Sequence, residues 1–348
     1  MSMTKKRLAE LLSVSPRTVT GWEADEYPPE HENFSRIVEV LAFPKSFYFR
    51  DESAHTSHDA VSFRSLSRTT AKQRDAVLAM CDIAKDLAVW LDGNFELPKA
   101  GLPDLYEEIP DHAATLLRQG WGMGNKPIKH FISLLESKGV KIFALPENCR
   151  EIDACSFWSD ETPFILLNTE MSGERIRFDL AHELGHLVLH KHGAPIGREA
   201  EQEANLFASE FLMPEDGIRM NRPKVWSIPA MMQRKKPWGV SISALAYRAN
   251  QLGYLSEWHF KSLNIEMRRR GYKDSEPEGI PKEQSKVLEV VLAQLRERRM
   301  GISFIANQNS LPQSEVQGLF FGIAKVLFDG QSEGNANPQA KSHLRVVK

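Results

Sequence analysis

Cysteine is scarce: Cys81, Cys149 and Cys155 are the only three in 348 residues, an odd number with no C-x-x-C spacing. A disulfide-built secreted scaffold is thereby excluded. The three read as reduced thiols, small hydrophobes of a cytoplasmic protein. Long apolar runs are also missing. No stretch approaches the roughly 18 apolar residues of a membrane span, and none follows Lys5-Lys6-Arg7 as a secretion signal requires. Nor is there an excess of one charge: 44 basic residues face 46 acidic ones, a net −2. No global field draws the chain to nucleic acid or membrane, so any DNA contact must come from a local patch. What remains is length, enough for two or three domains and a substantial core.

The stretch that carries chemistry is Arg177-Phe178-Asp179-Leu180-Ala181-His182-Glu183-Leu184-Gly185-His186-Leu187-Val188-Leu189-His190. It holds H-E-x-x-H in a segment of strong helix character. Residues four apart share a helix face, so His182 and His186 can aim their imidazoles at one metal ion. Glu183, about 100° round the helix, reaches a water there without being a ligand. Two neutral nitrogen donors suit Zn²⁺, and the carboxylate suits proton transfer from a bound water. The bland alternative, a helix whose histidines merely edge its polar side, is weakened by the context. Ser172 is an N-cap with Glu174 in the first turn. Ile176, Leu180, Leu184, Leu187 and Val188 form an apolar stripe, and Gly185 lets a neighbouring backbone approach. The helix should be buried, with its ionisable groups facing a cleft.

A third ligand has two sources. His192 stands where H-E-x-x-H-x-x-G-x-x-H places its last His, but the glycine that turns that chain is Leu189 here. The other source is the acidic helix from Glu199 to Pro214, which follows the break Gly193-Ala194-Pro195-Ile196-Gly197 and can fold back antiparallel. On it Glu201 and Asn205 share a face, a carboxylate ligand steadied by an amide; Ala204, Phe207, Ala208 and Phe211 or Leu212 give the packing face. Glu201 is chosen as ligand and Glu203 kept as the alternative. His190 and His192 are read as rim or supporting residues.

A-H-E-L-G-H-L-x-L-H followed by E-x-E-A-N-x-F-A-x-x-F-L-M-P resembles the ImmA/IrrE family of bacterial metallopeptidases, over roughly Pro127 to Tyr272. The resemblance implies zinc held by His182, His186 and Glu201, and Glu183 as catalytic base. It also implies a protein substrate of the repressor-type transcription-factor class, inactivated in a stress, phage or mobile-element response.

Upstream, Thr4–Leu12 and Arg17–Glu23 read as helices, the second capped by Ser15-Pro16, with a third from Asn33 to Ala42. L-A-E-L-L-S-V-S-P-R-T-V-T-G-W-E resembles the XRE-type helix-turn-helix, which implies that Arg17, Thr18, Thr20 and Gly21 face DNA. The helix that normally precedes this pair in that family has no counterpart here, and basic residues are sparse. The rival for this piece is a helical module that docks a partner or another copy of itself.

The fold expected is α+β and mostly helical: a gluzincin-like peptidase domain with a small antiparallel sheet, flanked by helical modules. Its parts are 1–50 the helix-turn-helix, 51–104 linker and connecting helix, 105–273 the peptidase, 280–328 a C-terminal helical module and 329–348 a disordered tail. Asp51–Ala60, with His55 and His58, reads as linker. The connecting helix spans Thr70–Leu91. Strands are expected at Val140–Leu145, Ala154–Trp158 and Phe164–Asn168, with a turn at Ser159–Pro163. Their exposed edge, lined by Ser156 and Trp158, can take an extended peptide. Arg219–Trp238, with Arg234-Lys235-Lys236, reads as a solvated loop, and Tyr247 is the candidate oxyanion stabiliser. The C-terminal module suits homodimer formation better than DNA. The rival function is a regulator or antitoxin whose metal domain senses without peptidase turnover.

Overall fold

Capping signals in the sequence open most of the helices of the computed structural model, which describes residues 3–50, 61–63, 70–145, 149, 151–192, 197–272 and 275–324. Thr4 caps α1 (Lys5–Leu12), Ser15 caps α2 (Pro16–Glu23), and α3 spans His31–Leu41. Thr70 and Gln73 close a capping box on the long α4 (Ala71–Asn94), satisfying its first amides reciprocally. Helices α5 (Pro110–Gly120) and α6 (Phe131–Ser137) precede the strands. The expected linker 51–60, most of the Gly193–Gly197 break and the tail 329–348 lie outside the described residues.

The sheet is mixed. Its strands are β1 (Val61–Phe63), β2 (Lys141–Ala144), β3 (Ala154–Ser159) and β4 (Thr162–Leu167), in the order β1-β3-β4-β2. β3 and β4 form the expected hairpin across Asp160-Glu161, Asp160 taking the left-handed φ of 50°. The expectation of an all-antiparallel sheet fails at β2, which pairs in parallel with β4. What β4 itself shows is its central position. Phe164-Ile165-Leu166-Leu167 is apolar on both faces and fully buried, as befits a central strand with neighbours on both sides. β1 is a strand the sequence reading missed.

Each sheet face packs its own helical layer. Ala154, Ile165 and Leu167 join α7 (Gly173–Leu189), α8 (Arg198–Leu212), α5 and α6 in one core. The same core takes in α10 (Ile228–Trp238), α11 (Ile242–Gln251) and α12 (Glu257–Arg269). Cys155, Phe157, Phe164 and Leu166 join α4 and the C-terminal helices α13 (Lys286–Glu297), α14 (Ile302–Gln308) and α15 (Gln313–Phe320) in the other. The C-terminal helices therefore complete the sheet's second core rather than stand apart, and their apolar faces are used within the chain. Cys81, Cys149 and Cys155 are all buried. No helix among the described residues is long and apolar enough to cross a membrane.

Arg219–Trp238 is not a solvated loop. It contains α9 (Glu215–Met220) and α10, the latter capped by Ser227 with a proline in its first turn. Lys235 is fully buried, its ammonium 3.2 Å from Glu174 and 2.9 Å from Glu276. A charge run in sequence looks solvated; here one of its three members is drawn inward by two carboxylates distant in the chain. Lys235→Met should destabilise the fold by about 3–5 kcal/mol, because it leaves the buried Glu174 and the half-buried Glu276 without their cation. A melting or denaturant titration of the variant measures this.

In the N-terminal three-helix unit Ala9, Leu12, Val19 and Ile37 are buried. Arg17 and Thr20 are exposed on α2, and the Thr20 hydroxyl donates to Pro16 O. Gly21 departs from expectation. It is buried, with the Tyr27 ring packed where a side chain would stand, and so it offers no surface to DNA. The unit leads into the second core through Phe43 and Phe47, and Arg50 pairs with Asp86 of α4.

Candidate functional site

Two helices build the site. α7 starts at Ser172, whose hydroxyl accepts from Arg175 N, and buries nearly its whole length. α8 lies against it, and the two helices pack tightly at Gly185. A Cβ there would stand 3.1 Å from a Phe207 ring carbon and 3.3 Å from the Ala204 Cα. The glycine thus sets the helix separation, as its position in the motif suggested. Gly185→Val should cost about 1–3 kcal/mol by overpacking and move α8 away from the imidazoles, which a melting curve together with metal titration would register.

Across that interface the expected residues converge. His182 Nε2 and His186 Nε2 are 3.1 Å apart. Glu201 Oε2 lies 3.4 Å from the first and Oε1 3.4 Å from the second. These three residues offer one donor atom each within 4.8 Å of one another. Burial pushes the Glu201 carboxyl up, but hydrogen bonds and charge from His182 and His186 in their protonated form outweigh it and hold the group down at about 2.

Neighbouring groups fix the imidazole tautomers. Asn205 Nδ2 donates to Glu201 O at 2.7 Å, leaving Asn205 Oδ1 to accept from His182 Nδ1 at 3.2 Å. On the other imidazole, His190 Nε2 donates to Glu203 Oε2 at 3.0 Å. Burial keeps His190 neutral, against the pull of Glu203. Its Nδ1 therefore accepts from His186 Nδ1, 2.9 Å away. Both Nε2 atoms are then left with lone pairs facing each other beside a carboxylate, a cradle that only a cation satisfies. The spacing fits a small tetrahedral ion: bonds of about 2.0–2.1 Å put ligand atoms roughly 3.3 Å apart.

The other expected residues fall elsewhere. Glu203 serves His190 rather than the cluster. His192 is held by Asp104 at 2.5 Å, with its ring against Tyr106. Tyr247 is 52% exposed on α11 with its ring on Phe260, so its contacts lie outside the imidazole cluster. The chain from His190 through Glu203 was only half visible in sequence: the helical spacing of His186 and His190 signals it, but Glu203 arrives from α8.

Glu183 faces the sheet. Ser156 Oγ of β3 donates to its Oε2 at 2.6 Å, and Trp158 Nε1 donates to Leu187 O one turn further on. His182 and Glu183 are both fully buried, His186 is 7% and Glu201 26% exposed. The expected open cleft at Glu183 is therefore absent in this conformation, since β3 covers the helix face that Glu183 occupies.

A search of curated proteins returned no match. Residues 135–250, from α6 to α11, match the Peptidase_M78 family, described as the IrrE N-terminal-like domain. The match covers about a third of the chain and contains both site helices; it supports a place for this segment in the ImmA/IrrE family, with a metallopeptidase-type function and a bound metal.

Proposed function

We propose that the chain is a zinc-dependent endopeptidase of the gluzincin type. In this reading His182, His186 and Glu201 hold the ion, and Glu183 is the general base. The observation that carries it is the convergence of two Nε2 lone pairs and one carboxylate, with no fourth protein donor in the cluster among the described residues. Structural zinc sites fill all four positions with protein ligands, whereas catalytic sites use three. Zinc, when bound, supplies Lewis-acid polarisation of a water and of a peptide carbonyl. Glu183 takes a proton from the attacking water and returns it to the leaving amine. Ser156 limits rotation of the Glu183 carboxylate by holding one oxygen. Asn205 and the Glu203–His190 pair keep the two ligand imidazoles in the tautomer that presents Nε2. Glu203→Gln should weaken metal binding about 10- to 100-fold by loosening that support; competition with a chromogenic chelator measures it.

The substrate proposed is a repressor-type transcription factor, cleaved in the cytoplasm during a bacterial stress, phage or mobile-element response. The family resemblance supports this class. Mass spectrometry after mixing the protein with a repressor encoded beside it, with and without chelator, tests it; an intact repressor in both arms sinks the reading. A second reading, a DNA-binding regulator whose metal domain senses without turnover, draws on Arg17 and Thr20 exposed on α2. A gel shift on the chain's own promoter tests that reading, which lacks the clustered basic charge that phosphate contacts need.

A further inference from the structure

Three observations meet at the outer edge of β3. The first is directional. At about 100° per residue along α7, Glu183 points at Ser156, and Leu180, Leu184 and Leu187 turn to one side. There they share a core with Ile165 and Leu167 of β4. His182 and His186 turn to the other side. β4 lies on the leucine side of β3, and β1 fills the opposite edge of that strand.

The second is the pairing. β1 is antiparallel to β3, with Val61 opposite Phe157, Ser62 opposite Ser156 and Phe63 opposite Cys155. It takes the main-chain edge of the residue that holds Glu183. The third is closure: His182 and Glu183 have no exposed surface, in a site whose chemistry requires water and an extended peptide.

β1 is also poorly held. It is three residues long and lies at the sheet edge. Arg50 is pinned to Asp86 on one side of it in sequence, and Thr70 opens α4 on the other. Such an edge is a template for strand addition, and a few hydrogen bonds of about 1 kcal/mol each are all that a competing strand must replace.

We propose that Val61–Phe63 is a surrogate substrate held in cis. It occupies the peptide-binding edge of β3, and a substrate segment pairs with Cys155–Phe157 only after β1 leaves. The proposal rests on the peptidase reading and adds a substrate class to it: a polypeptide segment able to go extended, with a small residue opposite Ser156. It also adds a route of control, since the N-terminal helical unit and the strap are continuous in the chain.

The test uses the full chain with Glu183→Gln, so that bound peptide persists. The probe is a fluorescein-labelled peptide of residues 59–65, Asp-Ala-Val-Ser-Phe-Arg-Ser. Ser62→Pro removes an amide and disfavours the ladder. The double variant is expected to bind the probe at least tenfold more tightly than Glu183→Gln alone. Amide hydrogen exchange at Cys155–Phe157 should be faster in the double variant and slowed again by the probe. Equal binding and equal exchange in the two proteins would overturn the proposal. With Glu183 intact, Ser62→Pro should hydrolyse the same peptide about tenfold faster than the unmodified chain. A binding switch without any hydrolysis would remove the peptidase reading and leave the occupancy of the edge standing. Should Ser62→Pro fail to fold, Val61→Gly with Phe63→Gly weakens the strand while keeping its amides and gives the same readouts.

Discussion

Glu183→Gln is expected to keep its metal and lose peptide hydrolysis by about a thousandfold, within the range of general-base effects. The amide matches the carboxylate in shape and still accepts from Ser156, 2.6 Å from Oε2 in the parent. It cannot take a proton from water. The donor cluster of His182, His186 and Glu201 is untouched, so metal content should stay at the parent level. Paired measurements of hydrolysis and of metal by plasma emission separate this result from simple unfolding. Full hydrolysis by the variant would remove Glu183 from the proposed role.

His186→Ala should strip the metal altogether. One of three donors disappears, and so does the proton that His186 Nδ1 gives to His190. The remaining His182 and Glu201 form a two-point site of the kind that releases zinc on dialysis. The fold should lose less than the site does, since His186 stands outside the apolar stripe of α7 that builds the core. His192→Ala is the matched control. That imidazole is tied to Asp104 and Tyr106, so its loss should leave metal content unchanged. The two variants, compared by metal analysis after dialysis and by melting temperature, distinguish a ligand from a nearby histidine. Equal metal content in both would break the assignment.

The cis strap bears on how both variants are read. A chain whose β3 edge is filled by its own residues will show low activity before any substitution, and the Ser62→Pro background raises the baseline against which losses are measured.

Much of the site was legible because its elements are local. His182, Glu183 and His186 lie within one helical turn and a half, and helix periodicity alone orients them. Ser172 and Ser15 announced their helices, since a cap is a contact between residues three apart. The identity of the carboxylate partner was legible to within two positions, because Glu201 and Glu203 sit on different faces of α8 and only one carries Asn205 on its own face.

Other features depend on pairs distant in the chain, and those the tertiary structure decided. Lys235 reads as a solvated charge until Glu174 and Glu276 are brought to it. Gly21 reads as a contact residue until Tyr27 folds over it. The parallel placement of β2 and the presence of β1 follow from which strand edges remain open once β3 and β4 have paired, and no local pattern encodes that. The sequence by itself determined the helices, the paired imidazoles and the base beside them, because helical geometry is short-range. Which carboxylate meets those imidazoles, and which strand fills the opposite edge of β3, was settled only by packing, because those distances are set by side chains such as Phe207 against Gly185 that meet only when the helices close.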